Sequence, residues 1–165
     1  MDLARFWRHV LMTPMRAARA FPAAVMDAIG GEIGAQERAH RGEVVFVVEA
    51  ELHAAQLWKG VSPRERARQV FAQHGVWNTE ENTGVLVYVL LADRAVEIVA
   101  DRGIGSRVDA AEWRGICASM EREFSQGRYA EGAIAGVRAV SQLLARHFPA
   151  QGERRNELPD RPIFI

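Results

Sequence analysis

A single cysteine, Cys117, stands in a chain of 165 residues, so no internal disulfide can staple the fold and no Cys-x-x-Cys pair exists. It falls on the apolar stripe of a predicted helix and reads as a core thiol, since nothing around it would lower its pKa and make it a nucleophile. Excess charge of either sign is also missing. Lys plus Arg equal Asp plus Glu at 21 each, which removes nucleic acid from the expected partners. No window reaches the ~20 apolar residues that cross a bilayer. Arg16, Arg19 and two prolines interrupt the N-terminal stretch, leaving neither the apolar core nor the cleavage site of a signal peptide. A soluble, cytoplasmic chain is expected. There is no Gly-x-Ser-x-Gly elbow and no His-Glu-x-x-His pair, so a covalent hydrolase mechanism has no support.

With 48% hydrophobic and 25% charged residues, the chain has interior enough for one compact domain. Residues 1–40 read as a helical arm restarted at Pro14 and Pro22, with Gly30 and Gly31 loosening its last piece. A β-branched and aromatic run from Glu43 to Leu52 is the first strand. Ser62-Pro63-Arg64-Glu65 combines an N-cap, a proline shaped for the first helical position and a glutamate at the third, and Gly75 can end that helix. Gly84 to Leu91 follows as a strand covered on both faces, so strand, helix and strand form a right-handed parallel crossover. Ala95 to Ala100 returns antiparallel, near an edge because it carries Glu97.

Two helices close the domain. Trp113, Ile116, Cys117, Met120 and Phe124 form the stripe of the first, and Ile134, Val137, Val140 and Leu144 that of the second, where Gly132 and Gly136 allow close approach to a neighbour. The tail is polar until Ile163-Phe164-Ile165, apolar enough to dock as an edge strand or between subunits. The fold class is therefore α/β, a three-layer α/β/α sandwich around a small mixed sheet. Its parts are the arm (1–40), the domain (41–149) and a tail (150–165).

Arg5, Arg8, Arg16 and Arg19 alternate with Phe6, Trp7, Val10, Leu11 and Phe21, a mixture able to lie on an anionic membrane surface. Asp2 and Asp27 dilute that charge and no clean apolar face emerges, so a helix packed on the domain is the preferred reading. His9, His53, His74 and His147 read as surface or helix-end residues. Trp7, Trp58, Trp77 and Trp113 read as core or loop anchors.

The candidate chemistry lies ahead of the second strand, where Glu80, Glu81 and Asn82 precede Gly84. The Ala92 to Ala95 hairpin should return Asp101 to the same sheet edge, and parallel pairing should bring Glu43 there. Glu37 and His40, three apart at the end of the arm, can share a face reaching that edge, and Asp109 can close the ring from the next helix start. Oxygen ligands converging without matched cations suit calcium or magnesium. His40 with two carboxylates would suit zinc, manganese or iron better. The alternatives are a solvated acidic loop with Asp109 as a helix cap, Glu43 exposed and His40 a helix-end charge partner, or an ion-pair network with Arg94, Arg102 and Arg107. Gly103-Ile104-Gly105-Ser106 offers backbone amides to a phosphate but lacks the phosphate-loop lysine and spacing, so a plain turn is preferred.

The order of Gly84 to Arg94, Val96 to Gly105 and Phe124 to Gly132 resembles the TPM domain family, over the segment from Glu43 to His147. Phe-Ser-Gln-Gly-Arg-Tyr at Phe124 to Tyr129 is similar to the family's opening of its final helix. The resemblance implies an α/β/α sandwich, calcium binding in some relatives, weak acid phosphatase activity in others, and work beside membrane complexes in assembly or repair. Glu37, His40, Gly42 and Glu43 are similar to a run before the first strand in a short bacterial subfamily without signal peptide or membrane anchor. The family's glycine-rich turn before the second strand is replaced here by Trp77 to Asn82. The expected function is a calcium-binding, non-enzymatic interaction or assembly module with a protein partner. The alternative is metal-assisted hydrolysis of phosphate monoesters, the metal held by Glu80, Glu81 and Asp101.

Overall fold

A computed structural model describes residues 2–152 and 156–165. Its centre is a four-stranded mixed sheet in the order β3-β2-β1-β4. Strand β1 (Glu43–Glu49) lies parallel to β2 (Gly84–Leu90), with Val47 opposite Tyr88. Strand β3 (Ala95–Ala100) returns antiparallel to β2, and the short β4 (Ile163–Phe164) runs parallel to β1 with Ile163 opposite Val47. Every residue of β1 and β2 is buried, as the continuous apolar runs predict for strands covered on both faces.

Before the sheet come α1 (Leu3–Val10), α2 (Pro14–Ala20) and α3 (Ala23–Gln36), then a 3-10 turn at Glu37–Ala39. Asp2 and Thr13 cap the first two, and Pro14 and Pro22 mark the restarts. Strand β1 stops at Glu49, three residues short of the sequence expectation, because Leu52 turns into the core and its N–H donates to His9 Nδ1 at 2.9 Å. A short α4 (Ala54–Trp58), not anticipated, precedes α5 (Pro63–Gln73). Ser62 Oγ accepts the Glu65 N–H at 3.1 Å, and Gly75 takes φ 63° beyond the end of α5.

Beyond β3 the chain makes a single turn, α6 (Arg102–Gly105), then α7 (Ala110–Ser125) and α8 (Tyr129–His147). A Cβ at Gly136 would overlap the Met120 side chain, and one at Gly132 would come within 2.9 Å of the Phe124 ring. These glycines let α8 press on α7 as the sequence suggests.

Alternate strand residues feed two cores. Val44, Phe46, Val48, Val85, Val87 and Val89 join Ile29, Ile33, Met120, Val137, Val140 and Leu144 on the face covered by α3, α7 and α8. Val45, Val47, Leu86, Tyr88 and Leu90 join Leu57, Ala67 and Val70 on the face covered by α4 and α5. The two-residue side-chain period of the strands makes both faces apolar, hence three layers.

Besides α3, whose Ile29 and Ile33 lie in the core, α1 and the end of α2 are fastened as well. Phe21 meets Phe124 edge-on at 5.7 Å and Tyr129 at 5.4 Å. Arg5 clamps Asp93 in the β2–β3 turn with Nη2–Oδ2 2.7 Å, and donates to the Val61 carbonyl at 2.7 Å. His9, expected at the surface, is 2% exposed, its Nε2 lying 3.2 Å from Asp93 Oδ1 but outside hydrogen-bond geometry. The expectation fails because His9 points from α1 into the domain, where Leu52 N–H occupies its other nitrogen. Trp7, Trp58 and Trp77, read as core or loop anchors, are exposed and outside the core.

Candidate functional site

Parallel pairing of β1 with β2 sets Glu43 opposite Gly84, and antiparallel pairing sets Val85 opposite Ala100. The entrances of β1 and β2 and the exit of β3 therefore share one edge, as the sequence implies. Two backbone contacts lock it. Asp101 N–H donates to the Gly84 carbonyl at 2.9 Å, and Gly103 N–H to the Asn82 carbonyl at 2.9 Å. A Cβ at Gly103 would sit 2.5 Å from that carbonyl oxygen and closer still to the one of Glu81. Only glycine permits this approach. Asn82 takes φ 55°, a left-handed conformation that asparagine tolerates.

Glu37 and Glu43 are buried and hold backbone. Glu37 Oε1 accepts Val44 N–H at 3.1 Å, and the two Glu43 oxygens accept the N–H groups of Glu157 and Leu158 at 3.3 Å each. Glu43 is thus not the exposed strand residue of the solvated-loop alternative; it fastens the tail that carries β4. His40 is buried, and its Nδ1 lies 3.1 Å from the Gly42 carbonyl. Because a carbonyl only accepts, Nδ1 carries the proton there. Glu80 is exposed, and its N–H donates to the Glu157 carboxylate at 3.1 Å.

Glu81 does have a matched cation, contrary to expectation. Arg41 Nη1 lies 2.5 Å from Glu81 Oε1, and Arg41 is fixed by the Phe148 and Pro149 carbonyls at the end of α8. Asn82 Oδ1 accepts Arg102 Nε–H at 3.2 Å, Asp101 Oδ1 caps Arg102 N–H at 2.7 Å, and Asp109 Oδ1 caps Ala111 N–H at 2.9 Å. Of the three arginines considered from sequence, only Arg102 bonds one of these side chains; Arg94 lies at the opposite end of the sheet, in the β2–β3 turn. Among the described residues of this edge, two carboxylate oxygens are shielded from solvent with no hydrogen-bond partner, Glu81 Oε2 and Asp101 Oδ2.

Among the described residues, no three His, Cys, Asp or Glu side chains form a metal-holding group. Any cation at this edge would rely on carboxylates from Glu81 and Asp101 together with backbone carbonyls and water, a donor set suited to calcium rather than zinc. The Gly103–Ser106 segment is no phosphate cradle, since it is the helical turn α6. Its amides at Gly103, Gly105 and Ser106 donate to the carbonyls of Asn82, Asp101 and Arg102.

A buried ionic cluster escaped the sequence reading. Glu49 at the end of β1 receives Arg66 through Nε at 2.8 Å and Nη2 at 2.9 Å, and the Tyr88 hydroxyl at 2.5 Å. A charge ending a fully buried strand demands a partner, which was the available signal. Burial, then the adjoining Glu49 carboxylate, push the Tyr88 phenol far above its ordinary range. On the β3 edge, Glu121 Oε1 takes Val96 N–H at 2.9 Å and Arg64 takes the Ile98 carbonyl, closing that strand to further pairing. Burial raises the Cys117 thiol beside it to about 11.

No helix among the described residues is long and apolar enough to cross a membrane, and no curated protein matches the chain. Solved structures do. The BA42 protein of the psychrophilic bacterium Bizionia argentinensis superposes with a TM-score of 0.75 at 27% identity, over 86% of this chain and 93% of that one. The N-terminal domain of a P. gingivalis protein follows with a TM-score of 0.61 at 25% identity, over 79% of this chain and 82% of that one. The N-terminal domain of a Corynebacterium glutamicum protein shares the fold at 14% identity, with a TM-score of 0.53 over 82% of this chain and 80% of that one. The family model for the TPM domain matches residues 16–143, from α2 to near the end of α8, and the chain belongs to the TPM domain family.

Proposed function

We propose that the protein is a non-enzymatic interaction or assembly module whose loop edge takes one calcium ion. The observation carrying this reading is that Glu81 Oε2 and Asp101 Oδ2 are shielded from water without a hydrogen-bond partner, on two segments held together through Gly103. A buried carboxylate oxygen is costly unless something positive or hydrogen-bonding reaches it. A calcium ion would meet both, and would order the loop that presents Trp77, 54% exposed, to a protein partner. Membrane-associated complexes are included among such partners.

Hydrolysis of a phosphate monoester is less well supported. The thiol of Cys117 is pushed up to about 11, and the amides of Gly103, Gly105 and Ser106 are already engaged. Among the described residues no nucleophile is identified beside Glu81 and Asp101, and the nearby Arg41 and Arg102 are already bonded to Glu81 and Asn82.

The deciding measurement is the thermal midpoint of chelated protein titrated with calcium, magnesium, manganese or zinc, for the parent chain and for Glu81→Gln and Asp101→Asn. A ligand of the native state must raise the midpoint. A calcium-selective rise that both variants lose supports the reading. An unchanged midpoint with every ion excludes the cation, and phosphatase turnover abolished by the same substitutions would replace the module with an enzyme.

A further inference from the structure

Helix α1 has two faces of opposite use. Arg5, Phe6 and His9 turn inward, where Arg5 holds Asp93 and Val61, Phe6 packs against the α5-side core and His9 is buried. Leu3, Trp7, Val10 and Leu11, at i, i+4, i+7 and i+8, occupy an arc of about 100° on the other side. They are 65, 54, 53 and 59% exposed, and Met15 in the first turn of α2 is 74% exposed. The clean apolar face missing from the sequence reading thus exists, because docking removes Phe6 and His9 from view. Trp58, also exposed, stands on the segment that Arg5 reaches through Val61. Exposed apolar residues gathered as a crest on one helix face of a folded domain mark a contact surface.

The charge around the crest identifies the occupant. Arg8, Arg16, Arg19 and Arg94 are all exposed. Among the described residues no carboxylate lies within ion-pair distance of Arg16, Arg19 or Arg94. These three line a cleft of about 640 Å³ between α2, the β2–β3 turn and the α7–α8 junction, with Met12, Phe124 and Tyr129 as apolar walls. Glu121 also lines it, its carboxylate bonded to Val96 N–H at 2.9 Å. The whole chain is formally neutral, so this positive field is local, felt within a Debye length of about 8–10 Å.

We propose that the α1–α2 arm is a docking surface for an anionic lipid bilayer. The crest of Leu3, Trp7, Val10, Leu11 and Met15 enters the headgroup boundary while Arg16, Arg19 and Arg94 meet lipid phosphates. A neutral apolar partner would leave the arginines unused, and a second copy across a two-fold axis would oppose like charges. An anionic bilayer satisfies apolar and cationic groups together.

Co-sedimentation of the full chain with vesicles tests this, in chelator so that a cation at the opposite edge plays no part. Vesicles of phosphatidylcholine alone are compared with vesicles containing equal parts phosphatidylglycerol, at rising salt. Binding should require phosphatidylglycerol and weaken with salt. Trp7→Ala with Leu11→Ser should lower the partition coefficient at least about tenfold, and Arg16→Gln with Arg19→Gln about thirtyfold. All four positions are exposed, and an unchanged thermal midpoint confirms that each variant folds. Absence of binding at every composition, equal binding to neutral vesicles, or a concentration-dependent dimer dissolved by Trp7→Ala would each overturn the proposal.

Discussion

The Tyr88 hydroxyl of β2 donates to Glu49 Oε2 of β1 at 2.5 Å, inside the layer between the sheet and α5. Arg66 of α5 grips the same carboxylate with two nitrogens. Strand, strand and helix are thereby registered by one ionic contact in a layer built mostly of apolar side chains.

Removing one partner of such a cluster leaves a buried charge, so Arg66→Ala should cost about 3–5 kcal/mol. Tyr88→Phe should cost about 1–3 kcal/mol. The double variant Glu49→Leu with Arg66→Met should recover most of the Arg66→Ala loss, because an apolar pair needs no compensation there. Urea unfolding of the four proteins checks the order. A double variant as unstable as Arg66→Ala would mean that the cluster contributes by shape rather than by charge.

Asp93 carries the docking of α1. Burial raises its pKa, but Arg5 and His9 outweigh that and hold the carboxyl below the ordinary range. Arg8 adds a looser contact at 3.6 Å. A lowered folded value stabilises at pH above the unfolded value of about 4, and this contribution disappears as pH falls through the folded value. The stability gap between the parent chain and Asp93→Asn should therefore be widest near neutrality and should close in acid. A gap independent of pH, from denaturant titrations at several pH values, would show that the Asp93 charge is not what holds α1.

Gly103→Ala should destabilise the domain by about 1–3 kcal/mol, since a methyl group cannot fit against the Glu81 and Asn82 carbonyls. It should also abolish any calcium-dependent rise in midpoint, because the loop must separate from α6. Calorimetry with and without calcium reads both effects.

Cys117 should be inert in the native state. Burial raises its thiol to about 11, against about 8.5 for a free thiol, so iodoacetamide should label it roughly 300-fold more slowly at neutral pH than in urea. Equal rates in both states would contradict its burial against β3.

Much of the fold was legible locally. The Gly84 run, the hairpin ending in Arg94, the capped starts at Ser62 and Asp109 and the stripes of α7 and α8 each depend on residues within one or two turns of one another. The apolar tail residues read as docking either as an edge strand or between subunits, and Ile163 lies beside Val47 as an edge strand. The candidate edge was legible only as a place. Parallel and antiparallel pairing brought the expected segments together, but spacing does not disclose that Glu37 bonds Val44, that Glu43 bonds the tail, or that Arg41 reaches Glu81 from beside α8.

Periodicity, capping and strand alternation are properties of neighbouring residues, so the sequence by itself determined the main strands and long helices, their order and the three-layer class, while the short α4 and α6 came only with the tertiary structure. Which polar groups are spent on structure depends on partners brought in from far along the chain, as Arg66 meets Glu49 and Arg5 meets Asp93. Tertiary packing alone decided that His9 faces inward and Trp7 outward on the same helix. A helical pattern states which residues share a face, but the domain against which the helix docks selects the face that is covered.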